Sequence, residues 1–323
     1  MIPTSILRET RAGFGLRRGT VRVLSTRFGK VCLAHRTPDG ARAQLRLVME
    51  RADTADRLRT EMAWLSYLRS TRGLQVPGPL PHRDGGFITP TLHARDGSAW
   101  RAVACQWIPG RHLNHGMRTR DMRAAGALLA RLHLSNADAP AGIAESRPVW
   151  WVPRLFELAT TLRDVVRDDR GPPFGLPASV GVMLRESHAA LERAYAALPR
   201  GAAYEGVIHA DAHWQNLRFS QQRVGLVDFE DFARGRFMLD VASAWDKFET
   251  RRDGAQLLDA LLDGYARRNA LPSGFMRDLH VMLAFRRFDY AGWILSWPRL
   301  DLQPWGPSFL AGTSAYIARH LGA

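Results

Sequence analysis

The chain has 323 residues, of which 46% are hydrophobic, and this is enough to bury the cores of more than one lobe. No apolar run approaches the roughly eighteen residues of a membrane span, and the N-terminus lacks the apolar core of a secretory signal, so we expect a cytoplasmic protein. The formal net charge of +14 is compatible with polyanion binding, but the arginines are spread along the chain and no recognisable nucleic-acid module is present.

The N-terminal third is predicted to form a small antiparallel sheet with one helix. Alternating apolar and polar residues predict strands at Thr20–Leu24, Lys30–Ala34, Ala43–Val48, Gly86–Thr89 and Trp100–Trp107. Apolar residues at helical spacing predict a helix at Thr54–Ser70. Cys32 and Cys105 both fall on these strands, which favours buried free thiols over a disulfide.

The rest of the chain is predicted to be mainly helical. A helix begins at Thr119, and further helices are predicted at Arg154–Asp168, Ser179–Leu198, Gly254–Asn269 and Pro272–Trp297, with a Pro- and Gly-rich loop at 171–177. We therefore predict an α+β fold with two lobes. The first, residues 1–107, contains the sheet, and the second, residues 108–323, is larger and mainly helical.

A polar motif interrupts the apolar segments between Val207 and Asp240. His209, Asp211 and Asn216 form the pattern H-x-D-x-x-x-x-N after a short predicted strand at 206–208. A predicted hairpin, with strands at 217–219 and 224–227, then leads to Asp228 in the triplet D-F-E. Phosphoryl transfer needs groups in this order: a carboxylate to accept the proton of the acceptor hydroxyl, then amide and carboxylate oxygens for Mg²⁺.

These requirements assign Asp211 as the base and Asn216 with Asp228 as metal ligands, while His209 is expected to brace the loop by hydrogen bonding. A metal hydrolase is the rival interpretation, because His209, Asp211 and His213 also form H-x-D-x-H, whose alternate side chains could share one face of an extended segment. That interpretation leaves Asn216 and the Asp228 triplet unexplained.

The segments HADAHWQN and LVDFED resemble the catalytic loop and metal-binding triplet of the aminoglycoside phosphotransferase-like kinases. That superfamily includes antibiotic kinases, choline and ethanolamine kinases and homoserine kinases of the second type. The resemblance implies a protein-kinase-like fold with two lobes and ATP- and magnesium-dependent phosphorylation of a hydroxyl. Asp240 matches a family aspartate that supports the catalytic loop from the start of the following helix.

The same resemblance assigns nucleotide-binding roles in the N-terminal lobe. Arg46 lies where the family carries the cation that holds the α- and β-phosphates, and Glu61 lies on the helix whose glutamate pairs with that cation. Lys30, one of only two lysines in the chain, is the other candidate for the phosphates. Ser25 and Gly29 are assigned to a turn that covers the nucleotide, although the G-x-G-x-x-G motif of protein kinases is missing.

A hinge is expected at Gln106 to Ile108, where the backbone could bind an adenine edge. Acidic and aromatic residues suited to a cationic acceptor follow the metal-binding aspartate, namely Glu230, Asp231, Trp245, Asp246 and Glu249. The resemblance ranks an amino-sugar antibiotic or similar small molecule first as acceptor, then homoserine- or choline-like alcohols, with a protein Ser/Thr acceptor also open. A non-catalytic basic interaction protein on a kinase-like scaffold is the alternative of another class. The sequence leaves ATP versus GTP and the oligomeric state open.

Overall fold

The computed structural model describes residues 2–27, 29–146, 178–221, 223–295 and 305–322. The helix predicted at Arg154–Asp168, the loop predicted at 171–177 and the predicted helix end at Trp297 lie outside these residues. The chain divides into two compact units that are interleaved in sequence. The first unit comprises Met1–Gly116, Leu134–Arg147 and Gln215–Phe232, and the second comprises Met117–His133, Pro148–Trp214 and Ala233–Ala323. The single lobe boundary expected between residues 107 and 108 stays a prediction.

The first unit is built on an antiparallel sheet of five strands in the order β1-β2-β3-β5-β4. The strands are β1 (Thr20–Arg27), β2 (Lys30–Arg36), β3 (Arg42–Met49), β4 (Leu92–His93) and β5 (Ala99–Gln106). Two helices accompany them, α1 (Thr4–Gly13) and α2 (Thr54–Ser70). The predicted fold class, an N-terminal antiparallel sheet followed by a mainly helical part, is confirmed, and α1 adds one helix that the sequence analysis did not predict.

The pleat of β3 divides its side chains between two environments. Leu45 and Leu47 are fully buried in an apolar cluster that also contains Ile6 of α1. Because successive side chains of a strand point to opposite faces, Arg46 lies on the other face, in register with Cys32 of β2 and Val103 of β5. The alternation of β3 therefore sends a cation to the face opposite the apolar cluster.

The second unit is mainly helical. Its helices are α3 (Thr119–Leu134, whose last residue falls in the first unit), α4 (Ala178–Ala196), α5 (Phe237–Trp245), α6 (Gly254–Ala266), α7 (Phe275–Leu295), α8 (Trp305–Ala311) and α9 (Thr313–Leu321). The close packing of α3 against α6 needs glycine, because a Cβ at Gly126 would lie 1.9 Å from the carbonyl oxygen of Leu261. Among the described residues, no helix has an apolar stretch long enough to cross a lipid bilayer.

Two small antiparallel pairs frame the polar motif. In the second unit, β6 (Glu205–Ile208) pairs with β9 (Ala233–Arg236). In the first unit, β7 (Leu217–Ser220) pairs with β8 (Arg223–Leu226) as the predicted hairpin. The polar motif therefore occupies the loop of residues 209–216 between β6 and β7, and Asp228 follows β8.

Two predicted details of the sheet are wrong. Residues 86–89 do not form a strand, because only Ile88 makes an isolated bridge, to Val103, and the fourth strand is Leu92–His93 instead. The turn assigned to Ser25–Gly29 is shorter than expected, because β1 continues through Arg27 after a bulge between Val23 and Ser25. Alternation alone does not reveal where a strand ends at a bulge.

Candidate active site

Arg46 of β3 and Glu61 of α2 form a buried ion pair in the first unit. Their side chains are only 8% and 5% exposed, and the guanidinium Nη2 donates a hydrogen bond to the Glu61 carboxylate. Burial by itself would lower the pKa of Arg46, but the charges of Glu61 and Glu230 outweigh it and raise that pKa above its ordinary value. The ion pair predicted from the sequence is present, and Arg46 remains charged.

Glu230 joins this pair to a second cation. Its Oε1 lies 2.7 Å from Lys30 Nζ, and its Oε2 lies 3.7 Å from Arg46 Nη1. Burial would raise the pKa of Glu230, but Arg46 and Lys30 lower it below the ordinary value. The sequence assigned Glu230 to the acceptor, whereas the structure engages both its oxygens with cations of the first unit. We call Lys30, Arg46, Glu61 and Glu230 the cation cluster.

Asn216 and Asp228 lie at the same end of the β7–β8 hairpin. The Val227 amide donates a hydrogen bond to the backbone carbonyl of Asn216 at 3.0 Å, and Asp228 is the next residue after Val227. The two predicted metal ligands are therefore close to the same backbone hydrogen bond. Asp228 has a φ of 70°, in the left-handed region that a residue with a Cβ seldom occupies. Backbone strain of this kind costs about 1–3 kcal/mol and is concentrated at functional sites.

The donor set at this end of the hairpin suits Mg²⁺. Asn216 offers an amide oxygen and Asp228 a carboxylate, which are hard ligands of the type that Mg²⁺ shares with phosphate oxygens and waters. The Nε of Arg46 is buried and has no hydrogen-bond partner among the described residues, and Arg46 and Asp228 both line a cavity of about 20 Å³. The Asp228 carboxylate and the buried Arg46 cation therefore line one cavity, and Asn216 is joined by a backbone hydrogen bond to the residue before Asp228. These groups have the chemistry that a metal-bound phosphate requires.

Asp240 at the start of α5 holds the backbone of the catalytic loop. Its Oδ2 accepts a hydrogen bond from the His209 amide at 2.9 Å, and its Oδ1 accepts one from the Ala210 amide at 2.8 Å. Its Oδ2 also lies 3.0 Å from Nε2 of His133, whose Nδ1 lies 2.9 Å from the hydroxyl of Tyr265. Asp240 is fully buried, and Ala210 has a φ of 66°, so this carboxylate fixes a strained turn immediately before Asp211.

The side chain of His209 points into the same backbone network. It is fully buried, and its Nδ1 accepts a hydrogen bond from the Asp211 amide at 3.2 Å. The metal-hydrolase interpretation required His209, Asp211 and His213 to converge on one ion. Among the residues that the structure describes, no group of three or more His, Cys, Asp or Glu side chains is placed to hold a metal. The geometry therefore does not support that rival.

Asp211 is held by two side chains of the second unit. Arg286 of α7 donates from Nη2 to Asp211 Oδ1 at 2.6 Å, and His213 Nε2 lies 3.4 Å from Oδ2. Burial would raise the pKa of Asp211, but the charge of Arg286 and the contact with His213 lower it far below its ordinary value. Asp211 is therefore a carboxylate at neutral pH, with its side chain 26% exposed.

Arg286 also contacts a second carboxylate and an aromatic ring. Its Nε lies 3.7 Å from Asp246 Oδ2, its Nη2 donates to the Tyr290 hydroxyl at 3.0 Å, and its guanidinium carbon lies 4.5 Å from the centre of the Tyr290 ring. Burial raises the pKa of Asp246 despite the charge of Arg286. The side chain of Asp246 is 21% exposed. Its raised pKa means that the nearby Arg286 and His213 stabilise the carboxylate less than burial destabilises it.

Two residues assigned to the acceptor have other roles. Trp245 is buried, and its indole Nε1 donates to the Gly254 carbonyl at 2.8 Å, so it is a core residue of the second unit. Glu249 accepts hydrogen bonds from Tyr316 at 2.6 Å and Arg319 at 2.7 Å and lies 3.0 Å from His320 Nε2. Those contacts tie Glu249 to α9. Asp231 lies in the first unit and is partly buried.

The other residues assigned to nucleotide binding are Ser25, Gly29, Gln106 and Ile108, and they differ in how far their positions suit that role. Ser25 is a residue of β1 paired with Cys32, while Gly29 has a φ of 72° and lies in the tight turn between β1 and β2. The Gln106 amide donates to the Gly78 carbonyl at 2.8 Å, so this donor is already used, and an adenine contact from Gln106 would have to use its carbonyl. Ile108 packs against Gly225, where an added Cβ would lie 2.7 Å from Ile108 Cγ2.

Sequence reasoning missed two residues with direct roles in this geometry, Arg286 and His133. Both lie on helices whose apolar periodicity gives no sign of a polar partner. Arg286 is 75 positions from Asp211 and His133 is 107 positions from Asp240. The sequence offered one sign of these roles, which is that Arg286 and His133 are polar residues among apolar residues of a helix.

A carboxylate held on a rigid loop, an aspartate with strained backbone and a buried cation cluster are the parts that phosphoryl transfer requires. The chain belongs to the phosphotransferase enzyme family known as APH, whose sequence model matches residues 31–277. The family resemblance predicted from the two polar segments is confirmed.

Individual relatives agree with this family. The chain is 30% identical over 244 residues to an uncharacterized protein of Deinococcus radiodurans, covering 72% of this chain and 65% of that protein. It is 28% identical over 206 residues to a homoserine kinase of Rhizobium johnstonii, covering 61% of this chain and 56% of the kinase. The chain thus spans less than two thirds of the length of these curated relatives. A microcompartment-associated aminopropanol kinase has the same fold, with a TM-score of 0.80, 21% identity and coverage of 98% of this chain and 97% of that chain.

Proposed function

We propose that this protein is a phosphotransferase that moves the γ-phosphoryl group of ATP to a hydroxyl group of a small molecule. The observation that carries the proposal is the catalytic loop, in which Asp240 fixes the strained turn before Asp211 and Arg286 lowers the pKa of Asp211. A rigid, charged carboxylate at this motif position is suited to orient an acceptor hydroxyl. Cytoplasmic location, expected from the sequence, remains a prediction.

In the proposed reaction, the acceptor oxygen forms a bond to the γ-phosphorus while the bond from that phosphorus to the bridging oxygen of ADP breaks. The hydroxyl proton passes to Asp211 and then to solvent. The low pKa of Asp211 makes it a weak base, so it accepts the proton late, when the acceptor oxygen has already lost electron density to phosphorus. Its main contribution is then orientation of the hydroxyl.

The cation cluster supports the role of the first unit in binding polyphosphate. Arg46 is held by Glu61, and Lys30, whose side chain is 31% exposed, is held by Glu230. Asn216 and Asp228 would hold Mg²⁺, which neutralises phosphate charge when it is bound. We propose that Lys30 and Arg46 contact the phosphates and that Glu61 and Glu230 keep these cations in position.

For the acceptor, we propose a small hydroxylated amine. Asp246 supports this class, because its charge is incompletely compensated and an ammonium group would stabilise it. The relatives named as homoserine kinase and aminopropanol kinase act, by their names, on small amino alcohols. An amino-sugar antibiotic is the second candidate, since it offers both an amine and a hydroxyl. Trp245 and Glu249 are no longer part of the proposed acceptor site.

A transfer screen tests both levels of the proposal. The purified protein is incubated with Mg²⁺ and γ-³²P-labelled ATP, or GTP, and with homoserine, aminopropanol, ethanolamine, choline, aminoglycosides, neutral sugars or a generic protein acceptor. We expect labelled product with at least one amino alcohol and about 100-fold less, or lower, with Asp211→Asn. If no acceptor is labelled above the level of that variant, the phosphotransferase proposal fails.

The acceptor class has its own test within the same assay. Asp246→Asn should raise KM for an amino-alcohol acceptor by about tenfold while KM for ATP stays unchanged, because the acceptor amine loses its ionic partner, whereas Arg286, which also loses its 3.7 Å contact with Asp246, keeps its hydrogen bond to Asp211. Transfer to a neutral polyol of similar size should change little. An equal loss for charged and neutral acceptors would remove Asp246 from the amine site but leave the phosphotransferase proposal intact.

A further inference from the structure

We propose that Arg286 is a positioning residue for the reaction, which holds one oxygen of Asp211 and thereby directs the other towards the acceptor hydroxyl. The proposal rests on the phosphotransferase function proposed above. Arg286 Nη2 donates to Asp211 Oδ1 at 2.6 Å, a short charge-assisted hydrogen bond. Oδ2 faces His213 Nε2 at 3.4 Å, and we assign this oxygen to the acceptor proton.

Arg286 is itself immobilised, as a positioning residue must be. It is 4% exposed and lies between buried Phe285 and Phe288 in the sequence of α7. One turn further along the helix, Tyr290 places its ring 4.5 Å from the guanidinium carbon and accepts a hydrogen bond from Nη2. Asp246, on the short 3-10 helix of residues 246–248, lies 3.7 Å from Nε. The cation is therefore held by an aromatic face and by carboxylates on two sides.

A purely structural ion pair would be built differently. Elsewhere in the same unit, Arg236 donates both Nε and Nη2 to Asp278 at 2.7 Å, and both residues are almost fully buried. That pair consumes both carboxylate oxygens. Arg286 donates to one oxygen of Asp211, and the Asp211 side chain retains 26% exposure. The contact therefore fixes one oxygen of a carboxylate that is still partly exposed.

The charges around Asp211 are also arranged for this role. From α7 it is faced by Arg286 and Tyr290, with Asp289 contributing to the field at Arg286. From its own loop it is faced by His213, and Asp246 lies on the far side of Arg286. Arg286 is thus the fixed cation of a cluster that otherwise consists of carboxylates, a phenol and an imidazole. Its removal should disturb both the orientation and the ionisation of Asp211.

The test compares Arg286→Gln and Arg286→Lys with Arg236→Gln as the matched control, since Arg236 is an equally buried arginine that does not contact Asp211. With the acceptor identified by the screen, Arg286→Gln should lower kcat by about 10- to 100-fold with little change in KM for ATP. The acid limb of its pH profile for kcat/KM should move up towards the ordinary carboxyl range, because the cation that lowers the pKa of Asp211 is gone. Arg236→Gln should be less stable but should keep the position of the acid limb.

Arg286→Lys separates charge from geometry. The ammonium keeps the positive charge, so the acid limb should stay near that of the wild type, but it lacks the planar fork and kcat should remain at least about fivefold lower. Wild-type kcat in folded Arg286→Gln or in Arg286→Lys would overturn the proposal. If Arg286→Gln does not fold, as judged by circular dichroism, Arg286→Lys decides the question by the same criterion.

A measurement independent of activity separates this proposal from the proposed function. The carboxyl ¹³C signal of Asp211, identified by its loss in Asp211→Asn, is titrated in the wild type, Arg286→Gln and Arg236→Gln. We expect the signal to titrate near the ordinary carboxyl range only in Arg286→Gln, and a signal that stays that of a carboxylate down to the same pH as in the wild type would overturn the proposal even if no acceptor had been found. Absence of transfer in the wild type would count against the phosphotransferase function alone.

Discussion

Replacement of Asp240 by Asn should both destabilise the fold and slow phosphoryl transfer. The Asp240 carboxylate accepts hydrogen bonds from the backbone amides of His209 and Ala210 at 2.9 and 2.8 Å and lies 3.0 Å from His133 Nε2. It is not exposed to solvent. An Asn side chain has one acceptor oxygen where Asp240 has two. Its NH₂ group would therefore replace an oxygen that now accepts a backbone hydrogen bond, and that backbone amide would lose its acceptor. Hydrogen bonds to a charged group contribute about 1.5–3 kcal/mol, and a buried donor left unpaired costs about 1–3 kcal/mol. The two effects together predict a loss of about 3–5 kcal/mol.

Urea denaturation followed by tryptophan fluorescence measures this loss. With an m-value near 3 kcal/mol/M, the midpoint of Asp240→Asn should fall by about 1 M or more. The control is Asp263→Asn on α6, which removes an exposed carboxylate paired with Arg123 and Arg267 and should leave the midpoint nearly unchanged. In native conditions kcat of Asp240→Asn should drop at least about tenfold, because the turn before Asp211 is no longer fixed. A midpoint equal to that of the wild type would refute the inference that Asp240 holds the loop.

Further substitutions test the remaining assignments. Asp211→Asn should preserve folding and Mg²⁺-ATP binding while lowering transfer about 100-fold or more, and near-normal turnover would remove Asp211 from its role. Because the pKa of Asp211 is lowered in the folded protein, its ionisation adds stability that is present above the unfolded pKa of about 4 and is lost as pH falls towards the folded pKa. The unfolding midpoint of Asp211→Asn should therefore depend less on pH below about 4 than that of the wild type; parallel curves would contradict this linkage. Asp228→Ala should weaken Mg²⁺-dependent nucleotide binding in calorimetry, and an unaltered titration would contradict its assignment to the metal. Glu61→Gln should raise KM for ATP by about tenfold or more with a smaller effect on kcat, because Arg46 loses the partner that fixes it; equal KM values would refute that role.

The local part of the fold could be predicted from the sequence. Helix α2 was predicted with the bounds Thr54–Ser70 that the structure has, because its apolar residues repeat at helical spacing over seventeen positions. The hairpin after the catalytic loop was also predicted, since two short apolar segments flank a polar turn. Short elements were missed or misplaced, such as β9 and the strand assigned to residues 86–89, because four residues carry too little periodicity to distinguish a strand from a loop.

The candidate site divides in the same way. The order of Asp211, Asn216 and Asp228 was readable because these residues lie within eighteen positions of one another on consecutive local elements. The pairing of Arg46 with Glu61 was predicted from the family resemblance and spans only fifteen positions. The contact of Glu230 with Lys30 was not predicted because Lys30 is 200 positions away, and no local pattern reports such a contact.

The sequence by itself determined which chemical groups the chain carries and in which order its loops present them, since spacing along a backbone is a local property. Tertiary structure alone decided that Arg286 compensates the charge of Asp211, and it supplied the hydrogen bonds by which Asp240 holds the turn before Asp211. Arg286 lies on a helix in which an isolated polar residue looks like any other. The physical reason is that electrostatic energy depends on distance in space and on burial, and neither quantity is encoded in sequence separation.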